Sequence, residues 1–256
     1  ITARTGALIA EIMWDAGVPK EVLKLVKVVD RAAGKLLISH PEVDRLILTG
    51  GYETAELFRS WRDDLPLFGE TSGKNSIIVT PNADIDLAVK DVVYSAFGHA
   101  GQKCSAGSTV ILVGSVAQSE RFRRQLIDSV SSLHVAHPQD IESQMGPVVQ
   151  KPEEKLLRGL TTLGPGERWL IQPKELDETG RLWSPGVREG VKPGSEYHMT
   201  EYFGPILGIM TADTLEEAIE LQNAPDYGLT AGLHSLDADE LELWLSKVQA
   251  GNLYVN

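Results

Sequence analysis

Apolar strand-like runs alternate with helical spacing along most of this 256-residue chain, which narrows its fold more than any other feature. Arg45-Leu46-Ile47-Leu48 reads as a buried strand running into Thr49-Gly50-Gly51, and Thr54 to Trp61 is helical. Ser76-Ile77-Ile78-Val79 is a strand, Asp84 to about His99 a helix, Ser108 to Val113 a strand and Ser119 to Ser131 a helix. Later come strand Ile206 to Met210, helix Thr214 to Asn223, strand Leu229 to His234, helix Ala238 to Val248 and strand Leu253-Tyr254-Val255. This alternation implies an α/β fold with a parallel sheet. Nearer the start, Ala7, Leu8, Ile12 and Met13 give an apolar face to a helix over Thr2 to Trp14, which Gly17 and Pro19 stop. Val22 to Val29 reads as a strand, and Ala32 to Ser39 as a short helix before Pro41. Leu163 to Gly190 reads as irregular, with Gly164-Pro165-Gly166 and Trp183-Ser184-Pro185-Gly186 marking turns.

Within this frame lies Phe97-Gly98-His99-Ala100-Gly101-Gln102-Lys103-Cys104-Ser105-Ala106, which holds the only cysteine. Gly98, Gly101 and Gly107 flank the thiol, so the backbone there can bend sharply or approach a ligand. Cys104 is expected on a turn just past a helix end, with Lys103 and local N–H groups favouring the reactive thiolate. Most lone cysteines are small buried hydrophobes, so this stretch alone makes Cys104 only a candidate nucleophile.

The net charge of −12 argues against nucleic acid or an anionic membrane as partner. One cysteine excludes an internal disulfide framework and fits a reducing cytosol, so a cytoplasmic location is expected. No apolar run approaches the roughly 20 residues that span a bilayer, and no signal peptide is expected. The chain opens inside a helical pattern without Met and closes on the strand-like Asn252-Leu253-Tyr254-Val255-Asn256, so we expect an internal fragment of a longer protein.

Other stretches carry weaker signals. Thr49-Gly50-Gly51, between a strand and a helix, is where backbone N–H groups and the helix dipole can face a phosphate. It contains no G-x-G-x-x-G, and a plain tight turn has the same sequence. Glu70, hemmed by Gly69 and Gly73, is either a base of raised pKa or a solvated loop carboxylate. Asp84 and Asp86 read as first-turn acids, and His134 and His137 as structural, since nothing near them completes a metal set. Glu201 and Phe203, two apart in a strand, would project to one face as a polar anchor and an aromatic plate.

Taken together, Ala16-Gly17-Val18-Pro19, Thr49-Gly50-Gly51, Glu70-Thr71-Ser72-Gly73-Lys74, Gly101-Gln102-Lys103-Cys104, Glu201-Tyr202-Phe203-Gly204-Pro205, Tyr227-Gly228-Leu229 and Gly251-Asn252 occur in the order of the aldehyde dehydrogenase superfamily. The chain resembles that family over nearly its whole length. Glu70 to Asn75, Gly101 to Ala106, Trp183 to Gly186 and Gly251 to Asn256 are most similar to the L-glutamate γ-semialdehyde (Δ1-pyrroline-5-carboxylate) dehydrogenases, which occur alone or as the C-terminal part of a bifunctional proline-utilisation protein.

The resemblance implies an aldehyde-dehydrogenase-like α/β architecture. Residues 1–69 would be the C-terminal part of a Rossmann-type NAD-binding domain, and residues 70–256 a catalytic domain truncated at its end. It implies Cys104 as nucleophile, Glu70 as the base that activates the hydrolytic water, and Glu201 on the nicotinamide ribose. It further implies Phe203 packing at the ring, Thr49, Gly50 and Gly51 along the pyrophosphate, and Ser105 at the substrate carboxylate. The implied cofactor is NAD, with NADP open; the substrate is a small aldehyde, and the parent protein a homo-oligomer. The family's oxyanion asparagine and ribose-contacting lysine would lie before Ile1, and its carboxylate-anchoring loop and oligomerising strand after Asn256. Ser72 replaces a glycine common in the Glu70 motif. The isolated segment is therefore expected to be nearly inactive. Three alternatives stand beside this reading. They are a non-catalytic module of the same fold, a cysteine hydrolase pairing Cys104 with His99 or His198, and a dehydrogenase of another semialdehyde or a CoA-acylating variant. Glu70 disfavours the acylating variant, because a hydrolytic base would compete with CoA.

Overall fold

The computed structural model describes residues 3–256, so Thr2 of the expected first helix lies outside the described residues. The chain divides into two compact units, one ending at Thr71 and the other spanning Ser72–Asn256.

In the first unit α1 (Ala3–Asp15) and α2 (Arg31–Ile38) precede β1 (Leu46–Gly50), α3 (Tyr52–Trp61) and β2 (Leu67–Thr71). The Asp30 carboxylate accepts the Ala33 N–H and so caps α2. β1 and β2 pair in parallel, with Thr49 opposite Glu70 and Gly50 opposite Thr71. Two expectations fail here. Val22 to Val29 forms no strand, and Val22, Leu25, Val26, Val28 and Val29 are exposed. β-branched residues favour a strand only where a neighbour pairs with it, and the described sheet of this unit is β1 and β2 alone. Conversely, Glu70 sits in a strand rather than a loop; Gly69 in a five-residue element hid it.

The second unit runs β3 (Asn75–Val79), α4 (Ile85–Phe97), β4 (Gly107–Val113), α5 (Glu120–Ser131), α6 (Glu154–Thr161), β5 (Arg168–Ile171), β6 (Gly186–Glu189), α7 (Glu196–Met199), β7 (Ile206–Ala212), α8 (Leu215–Asn223), β8 (Thr230–His234), α9 (Ala238–Lys247) and β9 (Asn252–Val255). Its seven strands lie in the order β5-β6-β7-β4-β3-β8-β9, parallel except where β5 meets β6. β3, β4, β7 and β8 are covered on both faces, which is why their sequences are nearly continuous apolar runs. α4 buries Ala88, Val89, Val92, Val93, Ala96 and Phe97, a helical stripe, and the Asp84 carboxylate caps its first turn by accepting from Asp86 and Leu87. Trp244 of α9 is wholly buried; its Nε1–H donates to Gln222 Oε1 at 2.8 Å, and Gln222 Nε2 donates to the Ser76 carbonyl of β3 at 2.8 Å. Among the described residues no helix is long and apolar enough to cross a membrane.

Leu163 to Gly190 is not irregular, since it contains β5 and β6. β6 escaped notice because Arg188, only 2% exposed, interrupts its apolar pattern. The guanidinium sits 2.8 Å from the equally buried Glu167 carboxylate, donates to the Gly159 carbonyl, and lies 4.8 and 4.3 Å from the ring centres of Trp169 and Tyr197. An ion pair in such a place is stabilising only while complete. Arg188→Met alone should therefore cost about 3–5 kcal/mol by leaving Glu167 buried and unpaired. Adding Glu167→Leu should recover most of that loss in urea denaturation.

Candidate active site

After α4 the chain passes through a 3-10 turn, Gly98–Gly101, in which His99 (φ 53°) and Ala100 (φ 54°) are left-handed, a conformation non-glycine residues rarely adopt. The Ala106 N–H then donates to the Lys103 carbonyl at 3.1 Å and closes a turn with Cys104 and Ser105 at its centre, both exposed. The thiol thus stands on a turn past a helix end. Gly101, at φ 65°, explains the glycine before it: a Cβ there would lie 2.2 Å from the Gly204 carbonyl oxygen. Gln102 strengthens this meeting of loops, its Nε2 donating to the Phe203 carbonyl at 3.0 Å and its Oε1 accepting the Val149 N–H at 2.8 Å.

The residue that organises the turn from beneath is Asn75. A register shift between Asn75 and Ser76 breaks the β3–β4 ladder at its first position, as bulges beside functional sites do. The Asn75 Nδ2 donates to the Cys104 carbonyl at 2.7 Å and the Ala106 carbonyl at 2.9 Å, while Oδ1 accepts the Thr230 N–H of β8 at 3.1 Å. Thr230 Oγ1 donates to the Ser105 carbonyl at 3.4 Å. Gly73 leaves room for this close approach, since a Cβ on it would lie 2.6 Å from the Cys104 carbonyl oxygen. Among the described residues the Cys104 N–H has no hydrogen-bond partner. The sequence reading assigned Asn75 no role. The available signal was an amide at the start of a buried strand, where every polar atom needs a partner.

Glu201 and Phe203 do not share a strand face, because β7 begins only at Ile206. Glu201 is buried, its Oε1 accepting the Gly73 N–H at 2.8 Å, while Phe203 is left-handed (φ 56°) and exposed. The carboxylate and the ring reach a common slot through a bent backbone instead. Gly73, Lys74, Lys103, Tyr202 and Gly204 line the rest of that slot. Cys104, Ser105, Glu201 and Phe203 all belong to segments at the amino ends of β3, β4, β7 and β8.

The first unit gathers the other predicted residues. Thr49 and Gly50 end β1, Gly51 precedes α3 and supplies no side-chain cap, and Glu70 stands exposed beside Thr49 in β2. α3 carries Glu53 in its first turn. The predicted residues thus fall into two groups, one in each unit.

Three of the histidines have settled partners. His134 lies 2.7 Å from Asp140 and His137 2.7 Å from Asp177, two separate carboxylates. His198 is buried with both ring nitrogens committed: Nδ1 accepts the Gly194 N–H and Nε2 donates to the Leu221 carbonyl, each at 2.9 Å. It is unavailable as a base for Cys104, which removes one of the two histidines on which the hydrolase reading draws.

Burial holds both His198 and His234 below the usual 6.5. The folded protein then resists protonation that the unfolded chain accepts, so their stabilisation is intact above about pH 6.5 and is lost as pH falls through the folded values. His134, raised by its hydrogen bond to Asp140, acts in the opposite sense but is exposed and screened. Urea midpoints should accordingly fall between pH 7.5 and pH ~5.5, before carboxylates titrate. Asn75→Asp should be more damaging than its size suggests, because a carboxylate facing two carbonyl oxygens leaves both unsatisfied, at about 1–3 kcal/mol each. Exchange of the Ala106 amide, which closes the turn, should rise, while the Thr230 amide, still facing an acceptor, stays protected.

Residues 1–256 match the sequence model of the aldehyde dehydrogenase family. A 1-pyrroline-5-carboxylate dehydrogenase from Bacillus subtilis (strain 168) is 30% identical over 98% of this chain and 50% of its own length. Proline Utilization A (PutA) from Corynebacterium freiburgense superposes with a TM-score of 0.95 at 52% identity, covering 98% of this chain and 26% of that one. The 1-pyrroline-5-carboxylate dehydrogenase from Thermus with bound NAD gives a TM-score of 0.89 at 31% identity, over 99% of this chain and 50% of that one. The chain spans about half the length of the curated relatives it matches. With the α/β architecture, the parallel sheets and the match along the whole chain, the chain belongs to the aldehyde dehydrogenase family.

Proposed function

We propose that this chain carries the nucleophile and part of the cofactor site of an NAD-dependent dehydrogenase that oxidises L-glutamate γ-semialdehyde to glutamate. The observation that carries the reading is the exposed Cys104 turn, held from below by Asn75 and joined through Gly101 and Gln102 to the loop bearing Glu201 and Phe203. The substrate class follows from the relatives' names, 1-pyrroline-5-carboxylate dehydrogenase and Proline Utilization A. Residues 1–69 would belong to the cofactor domain and 70–256 to the catalytic domain.

The residues suit a nicotinamide dinucleotide. Glu201 commits one oxygen to the Gly73 N–H, so its other oxygen can take a ribose hydroxyl, and Phe203 presents an exposed aromatic surface beside the same slot. Thr49, Gly50 and Gly51 offer backbone donors at the start of an uncapped helix, suited to a pyrophosphate.

In the reaction the Cys104 thiolate would add to the aldehyde carbon, and the resulting oxyanion would face the Cys104 N–H. Bound NAD would supply the hydride acceptor that the passage from thiohemiacetal to thioester requires. Glu70 would take a proton from the water that attacks the thioester carbonyl, and collapse would return the Cys104 thiolate with release of the acid. Ser105, exposed beside the nucleophile, would hydrogen-bond the substrate carboxylate.

The full-length protein given Δ1-pyrroline-5-carboxylate and NAD should produce NADH, followed by its absorbance. Cys104→Ala should abolish turnover, and Glu70→Ala should stall it after a burst. The isolated 256-residue chain should be slower by at least about 10²–10³, the loss expected for one missing oxyanion donor. Turnover with short aldehydes but not this substrate would sink the substrate assignment, and no NADH with any aldehyde would favour a non-catalytic module.

A further inference from the structure

Beneath the Glu201 slot lies a lysine that the reaction above does not use. Lys74 is 3% exposed, and its Nζ makes no hydrogen bond among the described residues. Nζ lies 3.9 Å from the ring centre of Tyr197 and 5.7 Å from that of Tyr202. The two rings stack on each other at 5.3 Å, and Arg188 also approaches the Tyr197 ring. The same lysine lines the slot with Glu201, Phe203 and Lys103.

The charges around Nζ are few. β6 contributes Arg188 and the segment before β5 contributes Glu167, and these two are already paired with each other. α7 contributes Tyr197 and His198, the latter neutral and fully hydrogen-bonded. Tyr202 and Glu201 come from the segment after α7, and Lys103 from the Cys104 turn. Burial pushes Lys74 down to about 7, Arg188 adds to the depression, and Glu201 and Glu167 oppose it. Glu201 is therefore the counter-charge left to Lys74. Near neutral pH the amine stands between its two forms, so a charge brought beside Glu201 tips the balance.

We propose that Lys74 Nζ is a proton-holding positioning group for the cofactor, losing its proton to solvent when a cationic nicotinamide ring lies beside Glu201 and regaining it when the ring is neutral. The inference rests on the reading that Glu201 and Phe203 take the nicotinamide end of NAD. Oxidised and reduced cofactor differ by one charge on the ring, so the site would tell them apart through a proton rather than through shape.

The test is a calorimetric titration of full-length protein with NAD+ and with NADH, from pH 5.5 to 8, in buffers of differing ionisation enthalpy. Wild type should release a proton on binding NAD+, and its NAD+ affinity should rise about tenfold across the range, the effect of a one-unit pKa shift. NADH affinity should change by less than about twofold. Lys74→Met keeps the apolar stem against the tyrosine rings and removes the amine, so both cofactors should bind with no difference in pH dependence. Lys74→Gln serves if the methionine variant does not fold. A pH difference that persists in these variants, a wild type that releases no proton, or variants that lower both affinities equally at every pH would overturn the proposal. Glu201→Gln separates the two layers of the argument. If it leaves both affinities unchanged, or if wild type binds neither cofactor, the cofactor reading itself has failed and the proposal with it.

Discussion

Three hydrogen bonds from one amide hold the candidate nucleophile in place. Asn75 takes two carbonyls of the Cys104 turn and one N–H of β8, so a single side chain joins the start of β3, the turn before β4 and the head of β8. An amide can do this because it donates and accepts from the same planar group; neither a carboxylate nor a hydroxyl matches that pattern. The register shift at Asn75 and the bare Cα of Gly73 are the local adjustments that let the turn come so close. Cys104 itself contributes little to its own placement.

Below this clamp the second unit tolerates unusual polarity. Arg188 and Glu167 form a buried pair, Tyr197 is approached by two cationic side chains, and Lys74 has aromatic faces instead of hydrogen-bond acceptors around its amine. Burying such groups costs stability unless they are paired, and an aromatic face offsets only part of that cost. Their concentration behind Glu201 sets this wall of the slot apart from the apolar packing of α4 and α5.

The apolar alternation made the α/β class and most of the central strands legible, because strands buried on both faces leave an unambiguous trace. Cys104 on its turn was legible for a similar reason, as glycines and a helix end frame it. β5 and β6 were hidden by brevity and by Arg188, whose burial depends on a partner elsewhere in the chain. Val22 to Val29 misled because β-propensity says nothing of whether a pairing strand is present. Phe203 misled because a left-handed non-glycine residue cannot be inferred from neighbours, so an apparent strand turned out to be a bend. Asn75 and Gln102 were visible as letters, but their roles lie in loops remote in sequence.

That remoteness has a consequence for how the protein is made. The contacts that shape the Cys104 turn come from 29 positions upstream through Asn75 and are tied to a loop 101 positions downstream of Gln102. Asn75 itself is fixed by Thr230, 155 positions away from it. Locally the left-handed pair His99–Ala100 is spanned by one hydrogen bond, Gln102 N–H to the His99 carbonyl at 3.1 Å, and the side chain of that same Gln102 ties it to the distant loops. Closing such long loops comes late, once the sheet has brought its strands together. On the ribosome and during refolding, the thiol therefore travels in an ordinary flexible segment, and its presented geometry appears only on a finished sheet.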